Sequence, residues 1–154
     1  MNEFLTMKYK IPILITVLLS VALYVFSLTQ KCFYANTEAD SLAVLIMGGL
    51  GIIAELGNIF SLNFANPVGA TFTWLANPLL WLAWFFAFKS PKQALYFSAA
   101  ATALALAFLL FPKVIGNDPD HYNEVTKYWL GYWLWLGSTV VMTAGLFTYS
   151  MTRK

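Results

Sequence analysis

Apolar residues along this chain gather into five long runs, Ile11–Thr29, Leu42–Phe60, Phe72–Phe88, Ala94–Phe111 and Tyr128–Tyr149, and short polar stretches between them hold nearly all of the charge. Most of the runs are close to the ~20 residues that an α-helix needs to cross a ~30 Å hydrocarbon core. A chain that is 60% hydrophobic, patterned in this way, has more apolar surface than one soluble core can hide. The pattern predicts an all-α integral membrane protein, a single domain over 1–154 with the lipid bilayer as its first partner.

The first run follows Lys8 and Lys10, as the apolar core of a secretory signal would. It is longer than such a core, and no small-x-small cleavage site follows it. An uncleaved first helix is therefore expected, with Pro12 in its opening turn. Cys32 is the single cysteine, so an intrachain disulfide and a cysteine metal cluster are both excluded.

Charge then fixes the crossing number that the runs alone leave open. Lys and Arg in short loops are retained on the cytoplasmic side. Four net crossings place Lys8, Lys10, Lys89, Lys92, Arg153 and Lys154 inside, and Lys31, Lys113 and Lys127 outside with most of the acidic residues. Five crossings would divide the basic residues almost evenly. The expectation is a compact bundle with both termini cytoplasmic and one broken or re-entrant segment within 42–88; five transmembrane helices is the alternative. Gly48, Gly49, Gly51 and Gly57 would loosen the first part of that segment, and Asn66-Pro67 and Asn77-Pro78 interrupt the second. Asparagine before proline is a helix-start signal, because Asn caps and Pro at the first position loses no needed donor. Non-helical backbone at membrane depth must be shielded by protein.

Glu55 is the only carboxylate inside an apolar run. A charge there is costly and needs a partner or a water-filled cavity. Gly48, Gly51, Glu55 and Asn58 share one helical face, and Asn77 could hydrogen-bond the carboxyl group, so Glu55, Asn58 and Asn77 form a candidate intramembrane polar cluster. The bland counterpart is a glutamate that locks two helices together or reaches an interface.

The alanine-rich run Ala94–Phe111 is expected to be the central packing helix. Gly131, Ser138 and Gly145 recur every seven residues in the last run and mark a close-contact stripe, as Gly48 and Gly51 do in the second. The tryptophans and tyrosines near the run ends read as an interfacial belt. The polar stretch with Asp118, Asp120, His121 and Glu124 is a weak candidate metal site, since it lacks the spacing of a calcium loop and the second histidine of a zinc motif. No cofactor is implied. A formal net charge of +2 without a basic stripe argues against nucleic acid.

Trp74-Leu75-Ala76-Asn77-Pro78-Leu79-Leu80 and Gly131-Tyr132-Trp133-Leu134-Trp135-Leu136 resemble segments of small uncharacterised bacterial inner-membrane proteins. The resemblance implies a bacterial inner-membrane location and a multi-pass helical architecture, and brings no catalytic residues. Two functions follow from the residues. The first is a structural, interaction or accessory subunit that binds another membrane protein or itself through small-residue helix faces. The second is a small proton- or ion-responsive transporter or channel component using Glu55 and the Asn-Pro-broken segment. An intramembrane enzyme ranks last, because the sole histidine lies in a polar loop and no nucleophile–base pair sits at membrane depth.

Overall fold

The computed structural model describes the backbone over residues 2–60, 69–111, 113–115 and 122–152, and side chains within 10–53, 70–111, 113–114 and 123–152. Helix α1 (Asn2–Leu28) starts well before the first apolar run, so Pro12 lies inside the helix and not in its opening turn. Proline supplies no N–H to the carbonyl one turn back, but its own carbonyl remains available and accepts from Thr16 Oγ1 at 2.9 Å. After α1 the chain turns into a hairpin, β1 (Lys31–Ala35) and β2 (Thr37–Asp40). The reversal is carried by Asn36 alone, at φ 63°, a left-handed conformation that asparagine tolerates better than most residues. Lys31 Nζ lies 2.9 Å from Asp40 Oδ1 and 3.5 Å from Glu38 Oε2, on the exposed side of the hairpin.

Helix α2 (Ser41–Phe60) is continuous through all of its glycines, so they do not loosen it. Helices α3 (Gly69–Thr73) and α4 (Ala76–Phe86) follow, separated by a turn at Trp74–Leu75. A break inside the third apolar run is therefore present, although Asn77 is not its cap: Leu75 holds that position. Asn66 and Pro67, the other expected break, lie outside the described residues. Helix α5 (Pro91–Ala107) runs back and ends in a 3-10 turn, Phe108–Leu110. Strands β3 (Lys113–Ile115) and β4 (Tyr122–Glu124) pair antiparallel. Strand β5 (Lys127–Tyr128) joins the other edge of β1, giving the order β2-β1-β5. Helix α6 (Leu130–Met151) closes the chain.

Among the described residues three helical stretches are long and apolar enough to cross a membrane: Lys10–Leu28, Pro91–Leu110 and Leu130–Met151. Their outward surfaces remain apolar. Ile11, Ile15, Leu18 and Phe26 of α1 are all more than half exposed, the reverse of a soluble helix, where such residues turn inward. The three-stranded sheet covers one end of the bundle. Phe33 of β1 packs on Phe108, and the Trp129 N–H donates to the Cys32 carbonyl at 2.9 Å. The end of α1, the start of α2, the end of α5 and the start of α6 thus meet at the sheet, and the α4–α5 turn lies at the far end.

Helix α6, and not α5, is the central element, packing on α1, α5 and β1. Glycine makes this possible at two positions. A Cβ on Gly131 would strike the Ser41 hydroxyl and the Lys31 carbonyl, and one on Gly145 would strike the Thr16 side chain. Ser138, between them, is fully buried and gives its carbonyl to Ser20 Oγ at 2.8 Å. Gly137, one residue along, has nothing within 4 Å of its Cβ position.

These three glycines form an internal series for thermal unfolding in detergent. Gly131→Ala meets backbone and is expected to cost about 1–3 kcal/mol. Gly145→Ala meets the Thr16 side chain, its Cβ included, so α1 must shift slightly; with no backbone atom opposed it should cost less. Gly137→Ala should be neutral, or stabilising by up to ~1 kcal/mol through helix propensity. Any other order of the three would contradict this packing.

Candidate functional site

The Trp74 carbonyl lies in the turn just before α4, and Pro78, four residues on, has no N–H to offer it. Asn77 fills the gap twice. Its backbone N–H donates to that carbonyl at 3.0 Å and its Nδ2 donates at 2.9 Å. The side chain is thereby turned so that Oδ1 accepts from Tyr24 Oη of α1 at 3.2 Å and from Trp135 Nε1 of α6 at 2.9 Å. One buried amide ties three helices to a helix break. A turn earlier in α1, Ser20 Oγ accepts from Trp84 Nε1 of α4 at 3.0 Å while it donates to the Ser138 carbonyl. The edge-on contact of Tyr24 with Trp84, at 5.3 Å between ring centroids, joins the two layers. Tyr132 Oη donates to the Ala105 carbonyl at 2.9 Å, and the Thr102 and Thr143 hydroxyls pair at 2.9 Å, linking α5 to α6.

Several tryptophans therefore do more than sit at an interface. Trp81 and Trp133 remain exposed, but Trp84 and Trp135 point their indole N–H groups into the bundle. Trp74 reaches sideways to α2, where its Nε1 donates to the Leu45 carbonyl at 2.7 Å. Cβ atoms on Gly48 or Gly49 would overlap its ring, so these glycines are the slot for the indole. Gly51 faces Thr71 at an ordinary 3.5 Å. Spacing alone marked Gly48 and Gly51 as contact positions without identifying Trp74 as the partner.

Glu55 and Asn58 fall on α2, but their side chains lie outside the described residues, as do Asp118, Asp120 and His121 entirely. The described partners of Asn77 are Tyr24, Trp74 and Trp135. Glu124 is on β4 and exposed. Among the described residues no group of three His, Cys, Asp or Glu side chains could hold a metal ion.

Between α2 and the rest of the fold, at the sheet-covered end, lies a cavity of about 580 Å³. Helix α2 supplies Leu45, Met47 and Leu50, the hairpin supplies Cys32 and Phe33, and Trp74, Asn77 and Trp135 close the bundle side. None of the described residues that line it is charged. Cys32 is buried, and desolvation pushes its thiol from 9.0 up to about 12, with the nearby Ser41 hydroxyl pulling the other way. Apart from this weak contact with the thiol, that hydroxyl makes no hydrogen bond within the protein. The cavity was not legible in sequence, because its walls come from segments up to a hundred residues apart.

No family model matches the chain, and neither the curated proteins nor the solved structures include a significant match.

Two measurements test this geometry. Asn77→Ala removes the acceptor of Tyr24 Oη and Trp135 Nε1 and one of the two donors to the Trp74 carbonyl, whose backbone partner remains; at ~0.6–1.7 kcal/mol per intramembrane bond it should destabilise by about 2 kcal/mol. Tyr24→Phe should cost about a third as much, both read by unfolding in mixed micelles. Cys32, protonated at neutral pH and buried, should resist alkylation in the folded protein at pH 7–8 and react on unfolding. Its raised pKa contributes stability that is complete below pH ~9 and is lost as pH rises toward about 12. Rapid labelling of folded protein at pH 7 would refute the buried placement.

Proposed function

We propose that this chain is a multi-pass membrane protein that works by non-covalent binding, an accessory or interaction component and not an enzyme, with the cavity beside α2 as its working site. The observation that carries the reading is the contrast between two halves of the fold. Within the bundle of α1, α4, α5 and α6 the described buried serines and threonines and Asn77 all make hydrogen bonds, several to carbonyls of their own helix. Beside α2 there is open, uncharged, mostly apolar volume in the ~300–1,000 Å³ range typical of ligand sites. The small-residue stripe of α6 is taken up by contacts inside the chain, with Ser41, Ser20 and Thr16. Association with another membrane protein, or with a second copy, therefore falls to α2, whose outward face carries Leu42, Ile46 and Ile53.

The proposed topology is four net crossings in a bacterial inner membrane, with the sheet outside and both termini cytoplasmic. Lys89 and Lys92 sit around the α4–α5 turn, at the end opposite the sheet and on the same end as Lys10, which supports that orientation. Helices α3 and α4 together make one crossing, and α2 flanks the bundle on its outer half.

Filling the cavity separates binding from folding. A Cβ at Gly51 meets only the Thr71 methyl, at ordinary distance, so Gly51→Phe should insert and unfold like the parent while its ring occupies the cavity. Native mass spectrometry of protein released from cell membranes should then show bound lipid-sized mass on the parent and at least tenfold less on the variant. Equal occupancy on both would reject the cavity as the working site.

A further inference from the structure

We propose that the cavity beside α2 takes an uncharged lipid with a single hydroxyl or carbonyl head, and that the Ser41 hydroxyl reads that head. This rests on the binding reading above and adds the chemistry of the ligand.

Three observations select that class. The first is charge. The described lining carries no acidic or basic side chain, so a phosphate or ammonium head would find no counterion among the described residues. The second is an unused hydrogen-bonding group. Eight described polar side chains are buried, and every one except Ser41 makes a hydrogen bond inside the protein. Ser41 is 8% exposed and lines the cavity, and its Oγ makes no hydrogen bond of ordinary geometry, with the Cys32 thiol as a weak neighbour. Buried polar atoms left in this state are uncommon and call for an explanation. The other such atom among the described residues, Trp129 Nε1, is not part of the lining. Ser41 stands first in α2, where no earlier helical carbonyl exists for its hydroxyl to bond. A serine hydroxyl both donates and accepts, so it suits either an alcohol or a carbonyl. The protonated Cys32 thiol beside it adds only a weak donor.

The third observation is where the cavity opens. Met47 and Leu50 line it and yet are 65% and 56% exposed. The cavity therefore has an opening along the outward apolar edge of α2, besides reaching the exposed Thr37 of the hairpin. An opening of that kind admits a ligand from the hydrocarbon side, which suits an acyl or prenyl chain better than a water-soluble metabolite. The head then rests under the sheet, near Ser41, and the chain trails past Met47 and Leu50.

The test uses full-length protein reconstituted into phosphatidylcholine vesicles that contain a photoactivatable diacylglycerol or a photoactivatable phosphatidylglycerol with identical chains. Diacylglycerol should label peptides from 31–51 and 70–77 at least fivefold more than phosphatidylglycerol does. Ser41→Ala should bring the two lipids to within twofold of each other. Equal labelling of these peptides by both lipids in the parent protein would overturn the head-group assignment while leaving the cavity as a binding site. Persistence of the fivefold preference in Ser41→Ala would also overturn it. Labelling by diacylglycerol confined to outward α1 peptides, with none in the cavity segments, would remove both this inference and the binding reading. Should Ser41→Ala fail to fold, the comparison of the two lipids on the parent protein decides alone.

Discussion

One carbonyl oxygen organises the centre of this fold. The Trp74 carbonyl sits in the turn before α4, Pro78 has no N–H to offer it, and an unsatisfied carbonyl has no water to turn to among apolar helices. Asn77 answers with two donors, and in doing so its own Oδ1 is fixed between α1 and α6. A defect in one helix thus becomes the register mark for three. Apolar side chains in lipid gain nothing from burial against each other that they would not gain against acyl chains, so packing shape and polar pairs must set which faces meet. The Ser20 and Asn77 layers, one turn apart, set those faces for α1, α4 and α6.

Close approach is the companion requirement. The polar pairs form only if α6 comes near both α1 and the β1–α2 corner, and Gly131 and Gly145 remove the atoms that would prevent it. Gly131 has the stricter task because backbone opposes it. The same Gly131 brings the α6 start against Ser41 and Lys31, so the sheet, the head of α2 and the bundle meet at a single point without a side chain. Where α2 leaves that point, the Trp74 indole in its glycine slot continues to hold it.

Much of this was legible in sequence, for reasons that also explain what was not. The apolar runs foretell α1, α5 and α6, since twenty consecutive apolar residues leave few options. The Asn77-Pro78 pair foretells a break, because proline chemistry is local. The mechanism differs from the expected cap, since Asn77 acts inside the helix after Leu75 takes the capping position. The sheet was missed. Lys31–Asp40 has mixed composition, and its pairing depends on Asn36 and on Lys127–Tyr128 far along the chain. Alanine content suggested that α5 is central, but alanine permits contact on any side, whereas the seven-residue stripe of α6 specifies one.

The fold is unevenly saturated, and that asymmetry bears on what it is for. A protein whose only task was to stand in the bilayer would gain from closing α2 onto the bundle, pairing Ser41 and filling the space with apolar side chains. Here the opposite holds on one side alone. Seven of the eight described buried polar side chains are paired internally, and the eighth faces a 580 Å³ cavity with no charge among its described lining residues. The glycine slot that receives Trp74 holds α2 away from the bundle as much as it holds it in place, because the indole stands between them. A spacer of that size maintains the cavity rather than tolerating it. The proposed ligand would then complete a wall that the chain itself leaves open, and its uncharged head would satisfy the one hydroxyl that the protein does not.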